Sequence, residues 1–308
     1  MAGDRGVVEA HRLILHRQAN RIKLLRHLQA MTTTISPTET PLSPARGGLD
    51  SAMPLTPTRR LMPDLLRSEW EKLRSVRTTF WSLAITIVAM VGISAIVAAV
   101  HTGTSGRGFD ALSGSFTGVL LAQLAIGVLG VLAVTSEYST GMIRSTFIAA
   151  PQRRAVIVAK AAVVGLVTFV VGTVASFASF FVSTAILSSH GTHLSLGSPG
   201  ALRSVIGVGL FLGILAVLAV GLGTIIRSSA GGIAALVGLL LVLPTLSQAI
   251  PTSIRGSVEK FLPANAGQAV FLHTDTGSLS PWIGLLVFAV YAVAGLGIAL
   301  VMVRRRDA

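Results

Sequence analysis

The sequence contains no cysteine, and only 12% of its 308 residues carry a charge. Without cysteine there are no disulfides, no thiol nucleophile and no thiolate-bound metal. Acidic residues are scarce, at 12 Asp and Glu against 25 Lys and Arg, whereas 52% of the residues are hydrophobic. One soluble core could not bury so much apolar surface. We therefore predict an all-α, multi-pass integral membrane protein.

Six apolar segments are each long enough to cross a bilayer as a helix, which takes about 20 residues. We place these spans at residues 79–100, 116–135, 155–187, 205–226, 230–250 and 282–303. The third exceeds one perpendicular crossing, so it should tilt, bend near Gly165 or Gly172, or extend into the cytosol near Lys160. Pro244 should kink the fifth span. Together, residues 79–308 form the predicted transmembrane domain.

Basic residues fall mainly on one side of these spans. That side carries Arg59, Arg60, Arg67, Lys72, Arg74, Arg77, Arg144, Arg153, Arg154, Arg227, Arg304, Arg305 and Arg306, whereas the other carries Arg107, Arg203, Arg255 and Lys260. Because Lys and Arg are enriched on the cytoplasmic side, we predict that both termini are cytoplasmic. The basic residues follow the span ends and form no stripe with interleaved aromatics, which argues against a nucleic-acid partner.

Residues 1–62 differ in composition from the rest of the chain. A basic stretch from His11 to Leu28 precedes a tract rich in Thr, Ser and Pro, which cannot build a packed core. We expect a disordered or dispensable N-terminal extension, and translation from Met31 or Met53 would keep every later feature. The alternative is that the basic stretch forms an amphipathic helix on the membrane surface.

Residues 63–78 show a helical pattern. Leu66, Trp70 and Leu73 share one stripe, and charged residues occupy the rest of the surface. Such a helix suits the cytoplasmic membrane interface, with Trp70 at the level of the headgroups. We predict an amphipathic elbow helix that leads into the first span.

The spans offer no energy-coupling group. Beyond Ser and Thr, the polar residues that stand out are Gln123, Gln248 and Lys160, the last near a cytoplasmic end. Proton- or sodium-driven carriers usually bury Asp, Glu or His near the midplane. No G-x-x-x-x-G-K-[ST] loop is present to bind nucleotide phosphates, and no hydrolase motif occurs. Energy must therefore come from a partner chain.

Two weaker patterns point to structure rather than chemistry. His190 and His193 have a spacing that could hold a metal, but no carboxylate or thiol accompanies them, so we predict no metal site. Gly209 and Gly213 in the fourth span should allow close helix packing rather than phosphate binding.

The most informative connection is residues 136–147, which we call the coupling segment. Ile143 and Phe147 lie one helical turn apart, Gly141 permits close backbone approach, and Glu137 and Arg144 carry opposite charges. These features predict a small helical projection on the cytoplasmic side that a partner protein could contact.

Here the sequence resembles the ABC-2 type permease family, which joins its second and third spans by a Glu-Tyr, Gly-Thr, Arg pattern. Glu137, Tyr138, Gly141 and Arg144 match, while Met142 stands where the family usually has Thr. The resemblance implies that the segment touches a separate ATPase through Glu137, Tyr138, Gly141, Met142, Ile143, Arg144 and Phe147. It extends over residues 61–306, including an outer connection whose Ile250, Ile254, Val258 and Phe261 are spaced as in short extracellular helices.

The resemblance implies the transmembrane permease subunit of an ATP-binding cassette transporter in the cell membrane. Two copies, or one copy with a similar permease, would assemble with two ATPase subunits, which would bind ATP and Mg²⁺. This chain would itself be no enzyme and bind no cofactor. We expect export of an amphipathic or lipophilic substrate such as a drug, antibiotic or lipid, with substrate-binding residues unassigned. The alternatives are a non-transporting membrane assembly or immunity protein, and a passive channel.

Overall fold

The computed structural model describes Lys23 and residues 61–101, 110–141, 153–189, 194–272 and 279–306. Residues Pro57–Ala308 form one compact unit, and the fold below is that of its described part. Apart from Lys23, Leu61 and Met62, the predicted N-terminal extension lies outside the described residues. Every regular element in the described ranges is a helix.

The helices are α1 (Leu61–Ser75), α2 (Arg77–Val100), α3 (Ala111–Gly114), α4 (Val119–Ser139), α5 (Arg153–Ser188), α6 (Ala201–Ile226), α7 (Ser229–Val237), α8 (Leu243–Ser247), α9 (Thr252–Glu259), α10 (Pro263–Gln268) and α11 (Pro281–Arg306). A π-helical turn, Gly238–Val242, joins α7 to α8. Six stretches are long and apolar enough to cross a membrane: α2, α3 with α4, α5, α6, α7 with α8, and α11. The predicted all-α fold with six spans is confirmed.

The third span is a single helix of 36 residues, α5. At 1.5 Å per residue it is about 54 Å long, well beyond a hydrocarbon core of about 30 Å. Neither Gly165 nor Gly172 interrupts it. A Cβ at Gly165 would lie 3.0 Å from Val217 Cγ2, and one at Gly172 would lie 2.9 Å from Leu212 Cδ1. These glycines therefore let α5 pack closely on α6.

The fifth span changes geometry directly before its proline. The π-helical turn ends at Val242, and Pro244 is the second residue of α8. Proline has no N–H to donate to the preceding turn, so a regular α-helix cannot continue through it unchanged. The span thus departs from regular α-helix directly before Pro244, and the kink itself stays a prediction.

Helix α6 occupies the centre of the bundle and packs against α4, α5, α7 and α11. Its large side chains Phe211, Leu212 and Leu215 are fully buried. A Cβ at Gly213 would lie 3.1 Å from the carbonyl oxygen of Gly165, and one at Gly209 would clash with Thr173, so the predicted close packing at these glycines is confirmed. The axis of the bundle is therefore filled by protein.

The connection before the last span contains the short helices α9 and α10, as its residue spacing predicted. Helix α10 is largely buried. Its Gly267 packs between two aromatic rings, since a Cβ at this position would lie 2.7 Å from Phe211 and 2.9 Å from Phe288. The amide Nε2 of Gln268 donates to Oε1 of the fully buried Gln123, at 3.4 Å. Gln248 is exposed at the end of the fifth span.

Candidate coupling site

The coupling segment begins on the last turn of a membrane span. Helix α4 continues to Ser139, beyond the predicted span end at Thr135, so Glu137 and Tyr138 are helical. Gly141 has φ +71° and is exposed. Nothing described lies within 4 Å of where its Cβ would be, so the left-handed backbone at the helix end, rather than close packing, accounts for this glycine. Met142, Ile143, Arg144 and Phe147 lie outside the described residues.

Glu137 points into the protein. It is 5% exposed, and its Oε1 accepts hydrogen bonds from Lys160 Nζ at 2.8 Å and Lys72 Nζ at 3.2 Å. Both lysines also donate to Glu69: Lys72 Nζ to Oε1 at 2.8 Å, and Lys160 Nζ to Oε2. Two lysines on other helices thus supply opposite charge to Glu137, while Arg144 lies outside the described residues.

These four residues, Glu69, Lys72, Glu137 and Lys160, form what we call the charge cluster. Glu69 and Lys72 lie on α1, Glu137 at the end of α4 and Lys160 on α5. The two carboxylates and two ammonium groups balance in charge. Pairing of this kind is what allows charged side chains to be buried, because an isolated ion loses its hydration without compensation.

Lys72 is the most exposed member of the cluster, with 30% of its side chain accessible. Partial burial lowers the pKa of its ammonium group, but the hydrogen bond and charge of Glu69, together with those of Glu137, outweigh this effect. The net result is that the pKa of Lys72 is raised. Lys72 therefore remains protonated at physiological pH and keeps its two carboxylate partners.

A second set of contacts holds the other side of the same turn. The guanidinium carbon of Arg227 lies 5.0 Å from the ring centroid of Tyr138, within the range of a cation–π contact. Arg227 follows α6 with φ +57°, an uncommon conformation for a residue with a Cβ. Ser229 Oγ and Thr135 Oγ1 are 2.8 Å apart. The connection between the fourth and fifth spans thus contacts the end of α4 through two side-chain pairs.

Helix α1 has the predicted amphipathic character and packs on α5. Leu73 packs against the hydrophobic core, and Leu66 and Trp70 line a groove of about 670 Å³ between α1 and α5. Trp70 is 49% exposed. Its position at the headgroups of a bilayer stays a prediction.

Sequence reasoning missed the charge cluster. The sequence pattern places Lys160 near a span end and Lys72 among the charged residues of α1, and it assigns no role to Glu69. The available signal was that Lys160 and Glu137 are charged residues within or beside long apolar helices, where a charge usually requires a partner. Which partner each would find depends on tertiary packing.

The predicted absence of a metal site is not tested at His190 and His193, which lie outside the described residues. Among the residues that the structure does describe, no three His, Cys, Asp or Glu side chains come together as metal ligands. His101 contacts the backbone oxygen of Val97 through Nδ1, at 2.9 Å.

In the described ranges, six helices are long and apolar enough to cross a membrane, and charged residues gather where α1, α4 and α5 meet, as expected of a multi-pass membrane protein. The sequence matches the family described as ABC-2 family transporter protein over residues 65–245, more than half of the chain. The chain belongs to this family and is a transmembrane permease of an ATP-binding cassette transporter. The match runs from α1 to α8 and leaves out the last span. No curated protein sequence matches.

Proposed function

We propose that this chain is the permease subunit of an ATP-driven exporter and that a separate ATPase pushes on the coupling segment from the cytoplasm. The observation that carries the proposal is the anchoring of Glu137 and Tyr138. These two residues, at the start of the segment, contact α1, α5 and the connection between the fourth and fifth spans. A force on the segment would therefore reach four of the six spans at once.

A second permease copy is part of the proposal. Helix α6 fills the centre of the bundle, so a pathway fits better between two copies than within one. The fifth span is little buried and exposes Val242, Leu243 and Thr245 beside its π-helical turn. Because π turns in membrane helices often mark functional positions, we place this face next to the partner copy. ATP and Mg²⁺ would bind to the ATPase subunits.

For the cargo we propose an amphipathic or lipophilic molecule. The groove between α1 and α5 is lined by Leu66, Trp70 and aliphatic residues of α5, and Arg67 is its one charged lining residue among those described. A lipophilic molecule in the inner leaflet could enter such a groove, whereas a hydrophilic solute would gain nothing there.

The test is co-purification of the tagged full chain from native membranes in mild detergent. We expect an ATPase with a nucleotide-binding loop to co-purify, and Arg144→Glu to release it. Gly141→Val should also weaken the association, because Val strains a backbone at φ +71°, whereas Gly141→Asn should be tolerated. Equal amounts of ATPase with all variants would contradict the coupling role.

Two other functions give different results. A non-transporting assembly or immunity protein would keep its phenotype with Arg144→Glu. A passive channel would conduct in reconstituted vesicles without nucleotide, whereas the proposed exporter requires ATP and its partner for any flux.

A further inference from the structure

We infer that Lys160 is a positioning residue that joins helix α1 to the start of the coupling segment, so that the two move as one body. The inference rests on the proposed function, because it assigns the route by which a push on the segment would reach the first span. In this inference Glu137 pairs with Lys160 inside the protein and does not itself contact the ATPase.

The first support is the burial and geometry of Lys160. Its side chain is 6% exposed, and its single ammonium group contacts carboxylates from two other elements, Glu69 of α1 and Glu137 of α4. Glu69 lies 91 residues away in the chain and Glu137 lies 23 residues away. Lys160 therefore links three helices, α1, α4 and α5, that are distant from one another in the sequence.

The second support is that, outside the charge cluster, the described side chains of α1 make no hydrogen bond to the spans. In the described part of the chain, the hydrogen bonds between α1 side chains and the spans are those of the charge cluster, Lys72 with Glu137 and Glu69 with Lys160. The Arg67–Glu71 pair and the Ser75 hydroxyl bond stay within α1. Apolar packing on α5 permits sliding, whereas a buried ion pair fixes the register.

The third support is the joint between α1 and the first span. Val76, with φ −88° and ψ 120°, is the single extended residue between α1 and α2. A cavity of about 360 Å³ adjoins this joint and the charge cluster, and its lining includes Leu73, Val76, Thr79 and Leu129. Close-packed interiors resist small displacements, so a cavity beside an extended joint is where α1 could turn relative to α2.

Together these features define a lever. The end of α4 contacts α1 in two ways: Glu137 pairs with the partly exposed Lys72 of α1, and it pairs with the buried Lys160, which in turn pairs with Glu69 of α1. Helix α1 then continues through Val76 into α2. A displacement of the coupling segment would then rotate α1 and the start of the first span, in addition to moving the four spans that Glu137 and Tyr138 contact or belong to.

The absence of native cysteine allows a direct test. Spin labels at Ser68→Cys on α1 and Ser139→Cys on α4, both exposed positions, would report the distance between the two elements in the full chain reconstituted in phosphatidylcholine–phosphatidylglycerol vesicles. We expect one narrow distance distribution in the native background and a broad or two-component one with Lys160→Met. Lys160→Arg, which keeps the charge and the donors, should restore the narrow distribution.

Controls separate this role from general destabilisation. Glu71→Gln removes an exposed carboxylate on the same helix and should leave the distribution unchanged. A second label pair at Leu202 and Ile254 should report an unaltered bundle in every variant. If Lys160→Met prevents folding, Glu69→Gln removes one partner only and should broaden the distribution. An unchanged Ser68–Ser139 distribution in a folded Lys160→Met or Glu69→Gln variant overturns the inference.

The functional arm uses the co-purified complex. Lys160→Met should retain the bound ATPase yet lower nucleotide-dependent cargo flux about tenfold, within the range of typical coupling free energies. Normal flux per bound ATPase with Lys160→Met would contradict the lever. If no ATPase binds the native chain, the proposed function fails, while the distance measurement still decides whether α1 and the end of α4 are joined by Lys160.

Discussion

Arg227 lies over the aromatic ring of Tyr138, with its guanidinium carbon 5.0 Å from the ring centroid. The two residues come from different connections between spans, and Arg227 has a left-handed backbone where it ends helix α6. Such a conformation costs on the order of 1–3 kcal/mol for a residue with a Cβ and persists where its surroundings stabilise it. The end of the second span is therefore held against the turn that leads into the fifth.

From this contact we expect that removing the aromatic ring of Tyr138 lowers the stability of the protein more than removing its hydroxyl group. Tyr138→Phe keeps the π face and should lower the thermal unfolding midpoint in detergent less than Tyr138→Leu does. Arg227→Gly should change the midpoint little, because relief of the left-handed strain offsets the lost contact. A larger loss with Tyr138→Phe than with Tyr138→Leu would show that the ring is not what Arg227 recognises.

The charge cluster should respond non-additively to mutation. Lys160→Met removes the more buried of the two lysines that Glu69 and Glu137 share, and breaking a buried pair typically costs about 3–5 kcal/mol. The triple variant Lys160→Met, Glu69→Gln, Glu137→Gln removes all three buried charges and should recover much of this loss. Chemical unfolding in mild detergent would measure both, with Glu71→Gln as the exposed control within about 0.5 kcal/mol of the native chain. Simple additivity would contradict a coupled cluster.

We expect acid to destabilise helix α9, because Glu259 loses its charge at low pH. Hydrogen bonds from Arg255 and Ser247 lower the pKa of the Glu259 carboxyl below its usual value, and the charge of Arg255 adds to the effect. A carboxylate whose pKa is depressed on folding stabilises the folded state above its unfolded pKa, and this contribution is lost as the pH falls through the folded pKa. The protection of the α9 amides, measured relative to the intrinsic exchange rate at each pH, should therefore fall below a pH of about 4, near the ordinary glutamate pKa.

The matched variant for this prediction is Glu259→Gln, which cannot titrate. It should show the lower protection of α9 already at neutral pH and no further loss of protection on acidification. An equal loss of protection in both proteins at low pH would assign the acid effect to another group.

The orientation of the spans can be measured with single cysteines. We expect a membrane-impermeant thiol reagent to label Ser139→Cys from the cytoplasmic side and Ile254→Cys from the outer side, because basic residues favour the cytoplasmic ends of the spans. Both side chains are exposed. Labelling of Ser139→Cys in intact cells would place the coupling segment outside and exclude contact with a cytoplasmic ATPase.

Much of the fold follows from the sequence because it depends on local properties. The number of spans follows from the length of each apolar run. The amphipathic helix α1 follows from the spacing of Leu66, Trp70 and Leu73. The fourth span was predicted no differently from the others, although it alone fills the centre of the described bundle.

The sequence by itself therefore determined the membrane class, the six spans and the amphipathic character of α1, since the length of a hydrophobic run and the spacing of residues can be seen along the chain. Only the tertiary structure decided that Glu137 turns inward to Lys160 and Glu69, that Gln123 meets Gln268, and that Arg227 covers Tyr138. Each of these contacts joins residues far apart in sequence. Their pairing is set by how helices pack in three dimensions, which no local pattern specifies.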